Sequence, residues 1–371
     1  MSHAFIVAAK RTPVCPRNGA FRALETSELG AVAITALLQA AGCPPSEIDE
    51  AIVGNALYGG GNPARVIALA AGLPENRPAL TIDTQCCAGL DAIMLAATLV
   101  QAGRAELVIA GGAESFSRSP LRLRRPLELR GQPIEYQRPP FAPWAERDPD
   151  PFAAAAAFAD ARRYARAAQE AFACESHRKA RCADQGGELA PLAGINCDSF
   201  MRALTPAACA RLPALAGAKD HAVTMATAAV EADAAAFVLV ASERAAAKLA
   251  PVHACRIAGA SRMGCAPEMP MIGAQAAAAA LPLTGRTLAV AEIMEAFACQ
   301  AMGAIADLSL DADIVNRGGG ALSRGHPIGA SGAILAVRLF HELAREASGA
   351  VGLAAIAAMG GLGSALLLER V

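Results

Sequence analysis

The chain has 371 residues, of which 54% are hydrophobic, 18% charged and 4% aromatic, with a formal net charge of -1 at pH 7. That length suits two or three domains or one large duplicated unit, and the composition is that of a globular protein with a large core. The balanced charge gives no electrostatic reason to expect nucleic acid or an anionic membrane surface as partner, and so few aromatics exclude base-stacking platforms. The eleven cysteines are irregularly spaced and contain no CxxC pair. Such spacing reads as reduced thiols in the cytoplasm, neither a zinc site nor a disulfide framework.

The first ten residues lack a basic segment before an apolar core, so they read as the first strand (Ala4–Ala9) and not as a signal peptide. After the turn Arg11-Thr12-Pro13, apolar residues recur at helical spacing from Ser27 to Ala41, with Thr26 or Ser27 as N-cap and Gly42 as stop. A strand over Glu50–Asn55, a Gly59-Gly60-Gly61 loop and a helix after Asn62-Pro63-Ala64-Arg65 follow. Then comes Thr81-Ile82-Asp83-Thr84-Gln85-Cys86-Cys87, leading into an apolar helix from Leu90 to Val100. A thiol at a helix start meets unpaired N–H groups and the positive dipole end, which lower its pKa and favour the nucleophilic thiolate. Cys86 is the candidate nucleophile; a buried apolar thiol is the bland alternative.

Glu106–Ala110 reads as a strand ending in Gly111-Gly112. Residues 118–222 differ in character: an Arg- and Pro-rich stretch to Pro151, then a helical stretch Ala153–Ala183. This region reads as an inserted loop domain. Within it, Arg122 to Arg125 are either a solvated face or a phosphate contact, and His177 reads as a helix-surface residue. A helix-like Ala run and a strand Ala235–Ala241 return to α/β character. From about Ala250 the plan repeats: a Gly/Pro/Met loop, a helix Ala274–Leu281, a strand Leu288–Ile293, a Gly-rich turn around His326, a helix to about Ala344 and a final Gly-rich hairpin. Strand then Gly-Gly at Val108–Gly112 mirrors the same pattern at Ile356–Gly361. The halves are 1–117 with 223–248, and 249–371. Two copies facing each other bring the helix starts after Cys86 and His326 to one site. Gly59-Gly60-Gly61 and Gly318-Gly319-Gly320 lack the context of nucleotide loops and read as tight turns.

Taken together, Arg11-Thr12-Pro13, Asn62-Pro63-Ala64-Arg65, Gln85-Cys86-x-x-Gly89-Leu90, Gly111-Gly112-x-Glu114-Ser115-x-Ser117, Ser176-His177-x-Lys179-Ala180, Glu295-Ala296-Phe297-Ala298, Gly319-Gly320 through Gly325-His326-Pro327-x-Gly329-x-x-Gly332, and Gly360-Gly361-x-Gly363-x-Ala365 resemble the thiolase superfamily, over nearly the whole chain outside the inserted region. The resemblance implies an α/β fold: a five-layered α-β-α-β-α sandwich of two duplicated halves with an inserted loop domain. It implies a coenzyme A thioester as substrate with no permanently bound cofactor or metal, a homodimer or a tetramer built from it, and a place in fatty acid metabolism. Cys86 matches the nucleophile that becomes acylated. His326 matches the histidine that activates it and donates a hydrogen bond to the thioester oxygen. Gly363 falls near the backbone N–H of a second oxyanion hole, and Ala296 and Phe297 match residues lining the pantetheine tunnel. Glu114 and Glu295 match structural hydrogen-bonding positions.

Several positions depart from the family pattern. The second cysteine, which moves the α-proton of the attacking acyl-CoA, is replaced by Ala357, and alanine has no proton to move. The Asn of the Asn-Glu-Ala-Phe motif is Met294, read here as filling space. The loop-domain Met-Gly segment is unrecognisable, a coenzyme-contacting Ser is Ala229, and a nearby Asn is Thr227. Cys86 and His326 suffice for acyl transfer onto and off sulfur. Three readings stay open: an acyltransferase or a condensing enzyme that needs no second cysteine, a true thiolase with a substitute base such as Cys87 or Cys299, and a non-catalytic subunit of the same fold. On their own, Cys87 and Cys299 read as structural.

Overall fold

The computed structural model describes residues 3–136, 138–185 and 187–371; Met1 and Ser2, at the head of the expected first strand, lie outside the described residues. In chain order the main elements are β1 (Ala4–Arg11), α1 (Thr26–Ala41), β2 (Glu50–Gly54), α2 (Pro63–Ala70), β3 (Ala79–Ile82), α3 (Ala88–Gln101) and β4 (Leu107–Ser115). The inserted region carries α4 (Pro151–Ala161) and α5 (Arg166–Cys182). Then come β5 (Ala232–Ser242), α6 (Glu243–Leu249), β6 (Cys255–Gly264), α7 (Gly273–Ala279), β7 (Leu288–Ile293), α8 (Ala298–Asp307), α9 (Ile328–Leu343), β8 (Val351–Ala358) and β9 (Leu362–Arg370).

The strand order is β7-β8-β9-β6-β1-β5-β4-β2-β3. Pairing exposes the duplication. In the first half β2 and β4 are parallel, β4 and β5 antiparallel, and β5 and β1 antiparallel. In the second half β7–β8, β8–β9 and β9–β6 repeat those three relations in the same order. Among the described residues the two sheets touch edge to edge only where Phe5 and Ile6 meet Arg256 and Cys255. Helices α1 and α2 cover the outer face of the first sheet, and α7 covers that of the second. Helices α3 and α9 fill the space between the sheets, in a core of Leu90, Ile93, Val238, Ile334, Leu335 and Ile356. Five layers result, as the resemblance implied.

The two Gly-Gly pairs are not equivalent. Gly111 and Gly112 lie inside fully buried β4, whereas Gly360 and Gly361 form the turn between β8 and β9, both at positive φ. The equivalent strand pairs are β4–β5 and β8–β9. A tight turn joins the second pair; the insertion joins the first.

Local chemistry explains most boundaries. Helix α1 starts one residue earlier than expected because Glu25 and Glu28 form a reciprocal capping box, and Gly42 closes it in the left-handed region. The expected helix Ala153–Ala183 is broken: Arg162 to Ala165 separate α4 from α5, and Arg163 has φ 56°. The Ala run before β5 is not helical. Residues 228–231 run extended because their backbone is shared out: the Ala229 N–H donates to Ala296 O and the His326 N–H donates to Val230 O. His177 is buried, not on the surface, because the 200–204 segment covers α5; its Nδ1 accepts from the Arg202 N–H at 3.1 Å.

A buried ion network ties the insertion to both halves. Arg11 pairs with Glu188 at 2.6 Å and Asp198 at 2.7 Å, and Arg338 on α9 pairs with Glu188 at 2.9 Å and Glu342 at 2.8 Å. Burial by itself would raise the Glu188 carboxyl, but Arg11, Arg338 and Arg324 outweigh it and hold it at about 2. Its contribution to stability is complete above its ordinary value of 4.5 and is lost as pH falls toward 2. Arg11→Ala strips buried Asp198 of its guanidinium partner and leaves Glu188 to Arg338 alone, and urea unfolding should show a loss of about 3–5 kcal/mol. A change under about 1 kcal/mol would mean the network is dispensable.

Candidate active site

Cys86 lies in a single 3₁₀ turn, Gln85–Cys87, that feeds α3, and His326 immediately precedes Pro327 and α9. The first turns of these helices meet backbone to backbone. A Cβ on Gly89 would lie 2.8 Å from Gly329 O, and one on Gly332 would lie 2.7 Å from the Leu90 nitrogen. Only glycine permits so close an approach. It brings two residues 240 positions apart into contact: Cys86 Sγ is 3.1 Å from His326 Nε2. Gln85 adopts φ 56°, a strain of roughly 1–3 kcal/mol for a non-glycine residue. Asp83 Oδ1 offsets it by accepting from the Gln85 backbone N–H at 2.9 Å and side-chain amide at 3.0 Å. The strained turn aims the thiol at the histidine.

The tautomer follows from hydrogen-bond bookkeeping. Ser331 Oγ donates its single proton to Pro327 O at 2.9 Å, so toward His326 Nδ1, 2.6 Å away, it accepts. Nδ1 therefore carries the proton, and Nε2 presents a lone pair to the thiol. Ser331, five residues after His326 on the first turn of α9, escaped the sequence reading; the signal was a hydroxyl one to two turns beyond the histidine. Ser331→Ala should leave the fold intact and slow acylation of Cys86 about tenfold, with a distorted pH profile, in quenched-flow assays. An unchanged profile would show that the ring is oriented by other contacts.

The electrostatics correct one expectation. Burial pushes the Cys86 thiol up to about 12, with Asp83 and Glu114 adding to the rise, and burial drives His326 down to about 4. The helix start does not compensate for desolvation of the charged forms. The resting pair is a thiol beside a neutral imidazole, not a preformed thiolate.

Cys86 and His326 open on a cavity of about 660 Å³. Ala296 and Phe297 line it, and Phe152 of the insertion stacks edge-on against Phe297 at 5.4 Å between ring centroids. Ala229 and Ala357 also line it, while Thr227 bonds within its own turn. Glu295 braces this wall from behind, accepting from Ser176 Oγ and Asn316 Nδ2, each at 2.7 Å. Glu114 accepts from the N–H groups of Ala56 (2.9 Å) and Gly329 (3.0 Å), which ties α9 to the first sheet; burial raises it to about 7. Met294 sits in the core between the sheets, 2% exposed, and does not reach the cavity. At the mouth, Arg122, Tyr136 and Arg138 of the insertion form the outer wall, a role that sequence left open for Arg122 and did not suggest for the others.

Gly363 does not line the cavity. It is the cross-strand partner of Ala357, and a Cβ there would lie 1.9 Å from Gly273 O, so its lack of a side chain lets α7 abut β9. The residues of this hairpin that reach the cavity are Ala357, Ala358 and Met359. The candidate substitute bases are also elsewhere. Cys87 is fully buried with its sulfur toward Ile356 O at 3.8 Å, and Cys299 donates to Ala155 O at 3.4 Å. Cys86 is the only cysteine among the described lining residues.

Comparison with known proteins agrees with this architecture. Residues 4–244 match the family description "Thiolase, N-terminal domain" and residues 231–370 match "Thiolase, C-terminal domain". The chain is 36% identical to an acetyl-CoA acetyltransferase of Chromobacterium violaceum, over 98% of this chain and 99% of the relative, and 35% identical to one of Cupriavidus necator over the full length of both. Among solved structures it is similar to the Bacillus anthracis acetyl-CoA acetyltransferase, with TM-score 0.87 and 30% identity over 100% and 99% of the two chains. It is also similar to human mitochondrial 3-ketoacyl-CoA thiolase in complex with CoA, with TM-score 0.90 and 28% identity over 100% and 98%. The chain belongs to the thiolase family.

Proposed function

We propose that this thiolase-family enzyme is an acyltransferase that takes the acyl group of an acyl-CoA onto Cys86, and that Ala357 withholds from it the ordinary thiolytic and Claisen reactions. The observation that carries the reading is the 3.1 Å contact between Cys86 Sγ and His326 Nε2 at a cavity whose lining holds Ala357 and no second cysteine. The thiol proton passes to Nε2 as sulfur attacks the thioester carbon. The carbon–sulfur bond to coenzyme A breaks, the imidazolium returns the proton to the departing thiolate, and the products are acyl-Cys86 and free coenzyme A. Every proton in that half-reaction is handled by one histidine. Removing a proton from an α-carbon is a separate task, and Ala357 cannot perform it. Coenzyme A enters as part of the substrate, its pantetheine arm running along Ala296 and Phe297 and its phosphates leaving past Arg122 at the mouth.

Intact-mass spectrometry after mixing with acetyl-CoA tests the reading: a 1:1 acetyl adduct that disappears in Cys86→Ala is expected. A folded protein that gains no adduct would turn the assignment toward a non-catalytic subunit. We also infer a homodimer, or a tetramer built from it. The sheet ends on β3 with Leu80 exposed, beside Val66 and Leu69 exposed on α2, and Leu127 and Leu129 stand free on the insertion. Unpaired edges and exposed leucines of this kind are usually covered. Light scattering reads the mass directly. Among the described residues no helix is long and apolar enough to cross a membrane, and we place the enzyme in the cytoplasm, where Cys86 keeps its thiol.

A further inference from the structure

The turn that carries Cys86 is held from two sides. Asp83 holds Gln85 by two hydrogen bonds, and the Thr84 carbonyl closes the turn by accepting from the Cys87 N–H at 3.2 Å. The second hold comes from Asp91, on the first turn of α3 and 3% exposed. Its Oδ2 accepts from Thr84 Oγ1 at 2.7 Å, and its Oδ1 accepts from Ser364 Oγ at 2.6 Å. Thr84 belongs to the first half of the fold and Ser364, on β9, to the second. Ser364 lies opposite Ile356 on β8, whose carbonyl the Cys87 thiol faces at 3.8 Å. One carboxylate therefore joins the nucleophile's turn, the helix that the turn feeds and the sheet of the other half.

A buried carboxylate whose hydrogen-bond partners are both neutral hydroxyls is a costly way to fill space. Burial raises the Asp91 carboxyl above its ordinary value; Ser364, Thr84 and the charge of Arg262, which faces Ser364 across β9 and β6, counter the rise only in part. The other buried side chains of α3, among them Leu90, Ile93, Ala96 and Ala97, fill their places without that cost. What the carboxylate supplies and they cannot is a fixed acceptor in two directions. The close approach of Gly89 and Gly332 to the facing helix sets how α3 sits against α9. It leaves the residues ahead of Ala88 still to be placed, and Gln85 among them sits at φ 56°, a conformation that the chain keeps only when its surroundings impose it. The bond from Thr84 to Asp91 fastens this turn to the helix.

We propose that Asp91 is a positioning residue for acylation: through Thr84 it holds the strained turn so that Cys86 Sγ stays within reach of His326 Nε2, and through Ser364 it sets that turn against the second half of the fold. Asp91 and Thr84 do not line the cavity, so their effect on the reaction passes through Cys86. This inference rests on acyl transfer to Cys86 and deepens it by naming what places the thiol.

Quenched-flow intact mass with acetyl-CoA reads the maximal rate of Cys86 acylation and the concentration that gives half of it. Thr84→Val keeps the shape of the side chain and removes its hydroxyl. It should lower the maximal rate roughly ten- to hundredfold, the effect of a misplacement of about 1 Å, and change the half-saturating concentration less than about threefold. Thr84→Ser, which keeps the hydroxyl, should stay within about threefold of the wild type. Asp91→Ala should lose at least as much as Thr84→Val, and adding Thr84→Val to it should cost little more, because both remove the same contact. A residue that merely supports the fold would lower the melting temperature and leave the maximal rate of the folded protein unchanged. That result in Thr84→Val, or equal rates for Thr84→Val and Thr84→Ser, would overturn the proposal. So would losses that multiply in the double variant. A wild type that forms no adduct would instead defeat acyl transfer itself, and this inference with it.

Discussion

Ala357→Cys is expected to raise thiolysis of acetoacetyl-CoA by roughly 10²–10⁴-fold over the wild type, the range a positioned general acid or base supplies. The residue is the last but one of β8 and lines the cavity that Cys86 and His326 also line, so a thiol placed there borders the space of the reacting atoms. Its backbone is fixed by pairing with Gly363 across the β8–β9 hairpin, and the neighbouring strands are closely packed. The substitution adds one sulfur atom at a site that already borders open space, which keeps the cost to the fold small. Coupled release of acetyl-CoA, followed by chromatography, gives the rate. A wild type that already works at the rate of the variant would mean that the proton is moved by a group other than residue 357. A variant that stays inactive while still acylating Cys86 would locate the deficit at a position other than 357.

His326→Asn should slow acylation of Cys86 by roughly 10²–10⁴-fold and change the form of its pH dependence. In the wild type the working state is the neutral imidazole beside the neutral thiol. Burial lowers His326 from 6.5 to about 4, so the imidazole is charged, and unable to take the thiol proton, only as pH falls through about 4. The rate should therefore be flat between about pH 5.5 and 8, with its acid limb near 4. The thiol, raised to about 12, holds about one part in 10⁵ of thiolate at pH 7, which is too little to carry the reaction without proton transfer. In His326→Asn only that fraction can attack, and the rate should climb tenfold per pH unit across the same range. An acid limb near pH 6.5 in the wild type would indicate a preformed thiolate–imidazolium pair and contradict this reading of the burial.

The insertion shows where sequence reading loses purchase. Its composition marked it as a separate region and left Arg122 open as a phosphate contact, yet nothing in Tyr136, Arg138 or Phe152 announced that they wall the cavity. Arg122, Tyr136 and Arg138 come from irregular segments and Phe152 from the first turn of α4, and the placement of all four depends on contacts with the main fold. The ion network of Arg11, Glu188, Asp198 and Arg338 is similar: four charges dispersed over more than 300 residues of sequence become neighbours only when the insertion docks.

What the sequence by itself determined is the α/β alternation, the duplicated plan and the pair Cys86 and His326. Each is encoded locally, in the periodicity of apolar residues and in glycines at required turns, and the alanine at position 357 is equally a matter of residue identity. Only the tertiary structure decided the protonation states. The helix start favours a thiolate, but enclosure between two packed helices favours the neutral thiol more, and the strength of that enclosure is set by contacts across 240 residues. The tertiary structure also moved Gly363 from the site to the packing behind it, and moved Cys87 and Cys299 out of reach. A position along the chain fixes which element a residue belongs to, and the face it presents to the cavity follows from strand pairing and helix rotation.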